Sequence, residues 1–269
     1  MNETEYLQQH EADLQRLRDF RLLDDDFMAK VFEDKACVEL LLRIILQKND
    51  LYVKEVHGQL SLKNLQGRSA RLDVFAADST GKVYDIEVQR SDKGASFKRA
   101  RYNAALIDAS ITEPGDEYEA LNECYVIFIT ENDVIGDGLP IYHAERTILE
   151  TGKLFGDEQH ILYVNAQITD ETELGRLMHD MWCTQADNMH YRVLANRVRY
   201  FKETEEGVTI MCRAMEEMRK ETAEKTAFKT RLEALTNIME ALKISVQDAL
   251  KMLKIPESEH ERYIAAIES

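Results

Sequence analysis

Two short stretches, Arg71-Leu72-Asp73-Val74-Phe75 and Tyr84-Asp85-Ile86-Glu87-Val88-Gln89, flank the turn-like Asp78-Ser79-Thr80-Gly81. The pattern predicts strands over about 71–77 and 82–89 joined as an antiparallel hairpin. Alternate residues of a strand share a face. Asp85, Glu87 and Gln89 therefore point together, while Tyr84, Ile86 and Val88 point the other way, into a core. The hairpin brings Asp73 opposite the second strand, so two carboxylates and an amide converge. Hard divalent cations such as Mg²⁺ and Mn²⁺ prefer oxygen donors of this kind. A cation so held polarises a phosphate and lowers the pKa of a water. Acidic residues alternating along a strand also mark a solvated face, and spacing alone leaves both readings open.

Outward from the hairpin, Phe32, Val38, Leu41, Leu42 and Ile45 predict one helix over 26–47, stopped by Lys48-Asn49-Asp50. Leu51, Val53, Val56, Leu60, Leu62 and Leu65 predict a strand region over 51–66. A helix is expected over 93–110, before the Pro114-Gly115 break. The apolar run Cys124–Ile129 reads as a buried central strand and Ile161–Val164 as one more. This order implies an α/β fold with a mixed sheet, whose third and fourth strands are linked by a helical crossover. From about 171 the chain reads as helical, which divides it into a core, 1–170, and a helical C-terminal region, 171–269. There Met211, Met215 and Met218 form a packing stripe, Glu216–Lys220 and Glu221–Lys225 are i,i+4 pairs, and Ser245 caps a late helix. Those helices are a candidate homodimer interface.

The four cysteines are scattered and form no C-x-x-C pair, so they read as free thiols, and His179 beside Asp180 reads as incidental. No apolar run approaches the roughly 20 residues that span a bilayer. The polar start, Met1 to Glu11, lacks the pattern of a secretory signal, so a cytoplasmic protein with no membrane partner is expected. The net charge of −16 opposes nucleic acid over the surface as a whole. Between Arg90 and Arg101, however, Arg90, Lys93, Lys98, Arg99 and Arg101 face only one acidic residue, Asp92. They either track a phosphate backbone or form a solvated helix face. Without aromatic interleaving, duplex DNA is favoured over a single strand.

Asp, a hairpin turn and then Glu-x-Gln resembles the PD-(D/E)xK nucleases, with Gln89 at the lysine position. More narrowly, the chain resembles the recombination-promoting nuclease/transposase family, in which Glu-x-Gln commonly stands for Glu-x-Lys. The likeness runs from Asp25 to about Arg199, through Asp26 and Lys30, Arg71-Leu72-Asp73, Ile86-Glu87-Val88-Gln89 and Lys98-Arg99-Ala100-Arg101-Tyr102. It implies a restriction-endonuclease-like core that cleaves DNA with Mg²⁺ or Mn²⁺, in recombination, mobile-element biology or defence against foreign DNA. Asp73, Glu87 and the Val88 carbonyl would hold the metal, and Gln89 would orient water. Asp26 and Lys30 would reach the site from the first helix. Lys30 either supplies the missing positive charge or is an ordinary surface lysine. Glutamine neither titrates nor carries charge. A module that binds DNA or a protein without cleaving is the second reading.

Overall fold

A computed structural model describes residues 3–64 and 67–268. The chain divides into two compact units, Met1–Cys212 and Arg213–Ser269. The first unit begins with α1 (Glu3–Asp19), α2 (Asp25–Val31) and α3 (Lys35–Leu46). Where one helix over 26–47 was expected there are thus two. Asp34 is the reason: its carboxylate accepts the Ala36 amide at 2.8 Å and caps a new helix. Apolar periodicity continues through the break and conceals it. The stop expected after Leu46 is Gln47, in the left-handed conformation at φ 53°.

Strands β1 (Val53–Leu62), β2 (Ala70–Asp78) and β3 (Val83–Gln89) form an antiparallel meander. Leu65, expected in the first strand region, lies outside the described residues. The turn between β2 and β3 is organised by Asp78. One carboxylate oxygen accepts the Thr80 amide and hydroxyl, both at 2.7 Å, and the Lys82 amide at 3.1 Å. The other accepts the Tyr84 hydroxyl at 2.7 Å. Gly81 supplies the positive φ, 93°, that the turn needs.

A 3₁₀ turn over Asp92–Ala95 follows β3, and α4 (Phe97–Ile111) begins only where Ser96 accepts the Arg99 amide at 3.3 Å. The helix therefore starts four residues later than the expected 93. Through α4 the chain crosses to β4 (Cys124–Thr130), which pairs in parallel with β3. After β4 come β5 (Ile141–Ala144), the two-residue strands β6 (Thr147–Ile148) and β7 (Lys153–Leu154), and β8 (Gln159–Asn165). The main sheet runs β1-β2-β3-β4-β8-β5, with parallel pairing in its centre and antiparallel pairing toward its edges. This is the mixed, helix-flanked α/β sheet that the resemblance implied. Sequence reading passed over β5, β6 and β7, which are short and mostly exposed.

On one face, Ala100, Ala104 and Ile107 of α4 pack with Val83, Val126 and Phe128. Helix α2 contacts β1, β2 and β3, and α3 contacts β1. Helices α5 (Glu173–Trp182) and α6 (Arg192–Glu203) pack against α3. For that reason the first compact unit runs on to Cys212, although the change from sheet to helix falls near 170.

Helix α7 (Glu205–Leu242) enters the second unit, which contains α8 (Val246–Met252) and α9 (His260–Glu268). Leu235, Ala249, Leu250, Ile255 and Tyr263 form its core. Met211 and Met215 are buried, and Ser245 caps α8. No helix among the described residues is long and apolar enough to cross a membrane.

Candidate active site

The acidic face of β3 is not solvated. Asp85 and Glu87 are both 0% exposed, which excludes the surface reading that spacing had left open. Tyr84, Ile86 and Val88 are buried on the opposite side. Both faces of this central strand are covered, and the acidic one lies under α4. Backbone pairing of β2 with β3 ends at Val74 and Ile86. One step further, the Asp73 carboxylate accepts the Val88 amide at 3.2 Å. A side chain thus takes over where the ladder stops, which aims Asp73 at the β3 carboxylates.

Asn103 of α4 bridges the other two acids. Its amide nitrogen donates to Asp85 at 3.0 Å and to Glu87 at 3.3 Å. Arg99, one helical turn earlier, donates to the second Glu87 oxygen and to the Gly94 carbonyl, the latter at 2.9 Å. Gln89 donates to the same Glu87 oxygen at 3.2 Å. Gly94 leaves room for this, because a Cβ there would collide with the Gln89 carboxamide oxygen. One oxygen of Asp85 is buried with no hydrogen-bond partner among the described residues.

Burial, with the nearby charges of Glu87 and Asp25, pushes Asp73 up to about 8, against relief from the Val88 amide and Arg99. Burial likewise raises Glu87, helped by the charge of Asp85, and raises Asp85, helped by the charge of Asp73. Such a cluster holds protons unless a cation arrives. Three converging carboxylates, one with an unused buried oxygen, fit a hard divalent metal.

The other expected site residues are distributed as follows. Lys30 donates to Glu33 at 2.7 Å and Asp26 pairs with Arg16 at 3.7 Å, so the acid of α2 whose charge reaches Asp73 is Asp25. Arg90 bonds to Asp24 at 2.9 Å and to Glu131 at 3.2 Å. The Lys93 side chain lies outside the described residues. Lys98 and Arg101 are exposed and line a cleft of about 960 Å³. Arg99 and Asn103, which bond to the buried carboxylates, line the same cleft. Its opposite side carries Arg68 and Arg71, at the start of β2. Sequence reading missed Asn103, Arg68 and Arg71. The signal for Arg71 was its place two residues before Asp73, on the same strand. Nothing in the sequence marked Asn103, which acts only through the crossing of α4 over β3.

The family model described as PD-(D/E)XK nuclease family transposase matches residues 30–244, and the chain belongs to that family. Neither the curated proteins nor the solved structures yield a match.

Proposed function

We propose that this chain is a divalent-metal-dependent DNA endonuclease, in which Asp73 and Glu87, with the Val88 carbonyl, hold Mg²⁺ or Mn²⁺. One observation carries the reading. Buried Asp85 and Glu87 are hydrogen-bonded by Arg99 and Asn103, and the same two residues line a cleft that also carries Arg68, Arg71, Lys98 and Arg101. A cation bound there would polarise the scissile phosphate and lower the pKa of water.

The chain's own residues have separable tasks. Asn103 keeps Asp85 and Glu87 parallel. Arg99 lies between the carboxylates and the cleft, where it can share its charge with a phosphate. Lys98, Arg101 and Arg68, which have no acidic partner among the described residues, contact neighbouring phosphates. Gln89 positions water by hydrogen bonds and leaves proton transfer to solvent or to a carboxylate. Duplex DNA is the proposed substrate, since the cleft offers charge rather than a row of stacking aromatics.

The Arg99–Glu87 pair favours a second reading, in which the guanidinium already satisfies the site and the cleft binds DNA without cutting it. Purified protein incubated with supercoiled plasmid separates the two. Nicking that requires Mg²⁺ or Mn²⁺, stops with EDTA and is absent from the Asp73→Ala/Glu87→Ala variant is the expected result. Metal-independent, salt-sensitive binding without nicking would install the second reading.

A further inference from the structure

A second cluster of metal-binding side chains lies on another part of the chain. His179 and Asp180 occupy the last turn of α5, and Cys183 is its C-cap. One His179 ring nitrogen, Nδ1, is 3.5 Å from an Asp180 oxygen and 3.6 Å from the Cys183 sulfur. One donor atom from each residue lies within 4.8 Å of the others. Zinc with nitrogen or oxygen donors at about 2.0–2.2 Å and sulfur at about 2.3 Å spaces its tetrahedral donors about 3.3–3.6 Å apart. The two His179 distances match such edges, and 3.5 Å is long for a hydrogen bond.

Asp180 is fully buried, and its aim is fixed. Its two oxygens accept the amides of His190 at 2.7 Å and Tyr191 at 2.8 Å. Each oxygen keeps a second lone pair. No lysine or arginine among the described residues pairs with it, so its charge is balanced only by amide dipoles and by whatever His179 carries. The Cys183 thiol donates to the Asn188 carbonyl at 3.7 Å and would lose that proton on coordination. The exposed His190 ring lies 4.7 Å from the His179 ring, centroid to centroid, and it or a water supplies a fourth ligand.

We infer that His179, Asp180 and Cys183 form a structural zinc-class site at the C-terminal end of α5, separate from the carboxylate cluster. Its donor set distinguishes it from the proposed catalytic site. A thiolate and an imidazole select a softer cation than a cluster of carboxylates does.

The test uses the full chain, reduced, stripped with chelator and reloaded with Co²⁺ as a spectroscopic probe or with Zn²⁺. A thiolate-to-cobalt absorption band is expected in the wild type and in Asp73→Ala, and its loss in Cys183→Ser and His179→Ala. One zinc per chain should survive desalting in the same two proteins that show the band. Zinc should also raise the unfolding temperature of Asp73→Ala, in which the carboxylate site is removed, and leave that of Asp73→Ala/Cys183→Ser unchanged. Circular dichroism identifies any variant that fails to fold, and His179→Ala, at a partly exposed side chain, is the milder change. A folded wild type without the band, or a band that persists in Cys183→Ser, would overturn the inference. Neither outcome bears on plasmid nicking.

Discussion

Glu87 and Glu221 are the same side chain in opposite circumstances. Glu87 is sealed under α4 between an arginine, an asparagine and two other acids. Glu221 lies exposed on α7 and meets Lys225 one turn along at 3.2 Å, as Glu216 meets Lys220 at 2.6 Å. On α7 every charge has water within reach, and an i,i+4 pair contributes only a few tenths of a kcal/mol. On β3 the charges have lost water and repel one another. The molecule concentrates electrostatic strain in one place and disperses charge elsewhere, and strain of that kind marks functional sites. The total of −16 does not describe the cleft, whose lining carries Arg68, Arg71, Lys98, Arg99 and Arg101 and, among the described residues, no acidic one.

The largest expected effect comes from removing the buried member of the comparison. Glu87→Gln should lower metal-dependent cleavage by about 100-fold or more, because several kcal/mol of charge stabilisation depend on that ligand. Initial nicking rates at saturating Mn²⁺ measure it.

The same strain sets a pH dependence in chelator. A carboxyl raised to about 8 in the folded chain keeps a proton that the unfolded chain, near the ordinary 3.8, gives up. Its stabilising contribution is complete below the unfolded value and is lost as pH rises through about 8. Urea unfolding of the metal-free wild type should therefore show stability falling from pH 5 to pH 8. Asp73→Asn should flatten that fall and be more stable than wild type at pH 8 by about 1–3 kcal/mol. A profile unaltered by the substitution would mean that Asp73 is no more strained than Glu221.

Losing both Lys98 and Arg101 to alanine should weaken DNA binding about equally across sequences. The slope of log affinity against log salt should fall by about 0.9 per phosphate contact removed. A titration across salt concentrations reads both. Gly94→Ala should displace the Gln89 carboxamide and cut the nicking rate about tenfold while leaving the unfolding temperature unchanged, a split between activity and stability that a packing defect would not give. At the bottom of the scale, Glu221→Gln should change stability by less than about 0.5 kcal/mol and cleavage not at all.

Much of this was legible in the sequence, for reasons that differ by element. The hairpin, its acidic face and the crossover helix follow from period-two patterning and turn chemistry, which are local. The run Cys124–Ile129 was readable as a central strand because both its faces are buried. The break at Asp34 was not, since a capping aspartate resembles any other acidic residue until its partner amide is seen. Lys30 and Asp26 share a short helix with Asp25, whose charge acts on Asp73, while Lys30 bonds to Glu33 and Asp26 pairs with Arg16, partners that the helical pattern did not reveal. The cleft unites arginines from 68 and 71 with cations from 98 and 101, a meeting made by topology alone. The depth at which Asp85 and Glu87 lie depends on what α4 covers, and no single strand's pattern contains that.

The turn at Asp78 has a wider reach than its size suggests. By fixing where β3 begins, its carboxylate sets the odd-even count for the whole strand. A residue inserted between Asp78 and Lys82 and carried into the strand, rather than absorbed in the turn, would reverse that parity, turning Tyr84, Ile86 and Val88 toward α4 and Asp85 and Glu87 away from it. The acids would all still be present, yet none would meet Asn103 or Arg99. The meeting of Asp85 and Glu87 with Asn103 and Arg99 thus depends on a turn at the far end of the strand, organised by one aspartate.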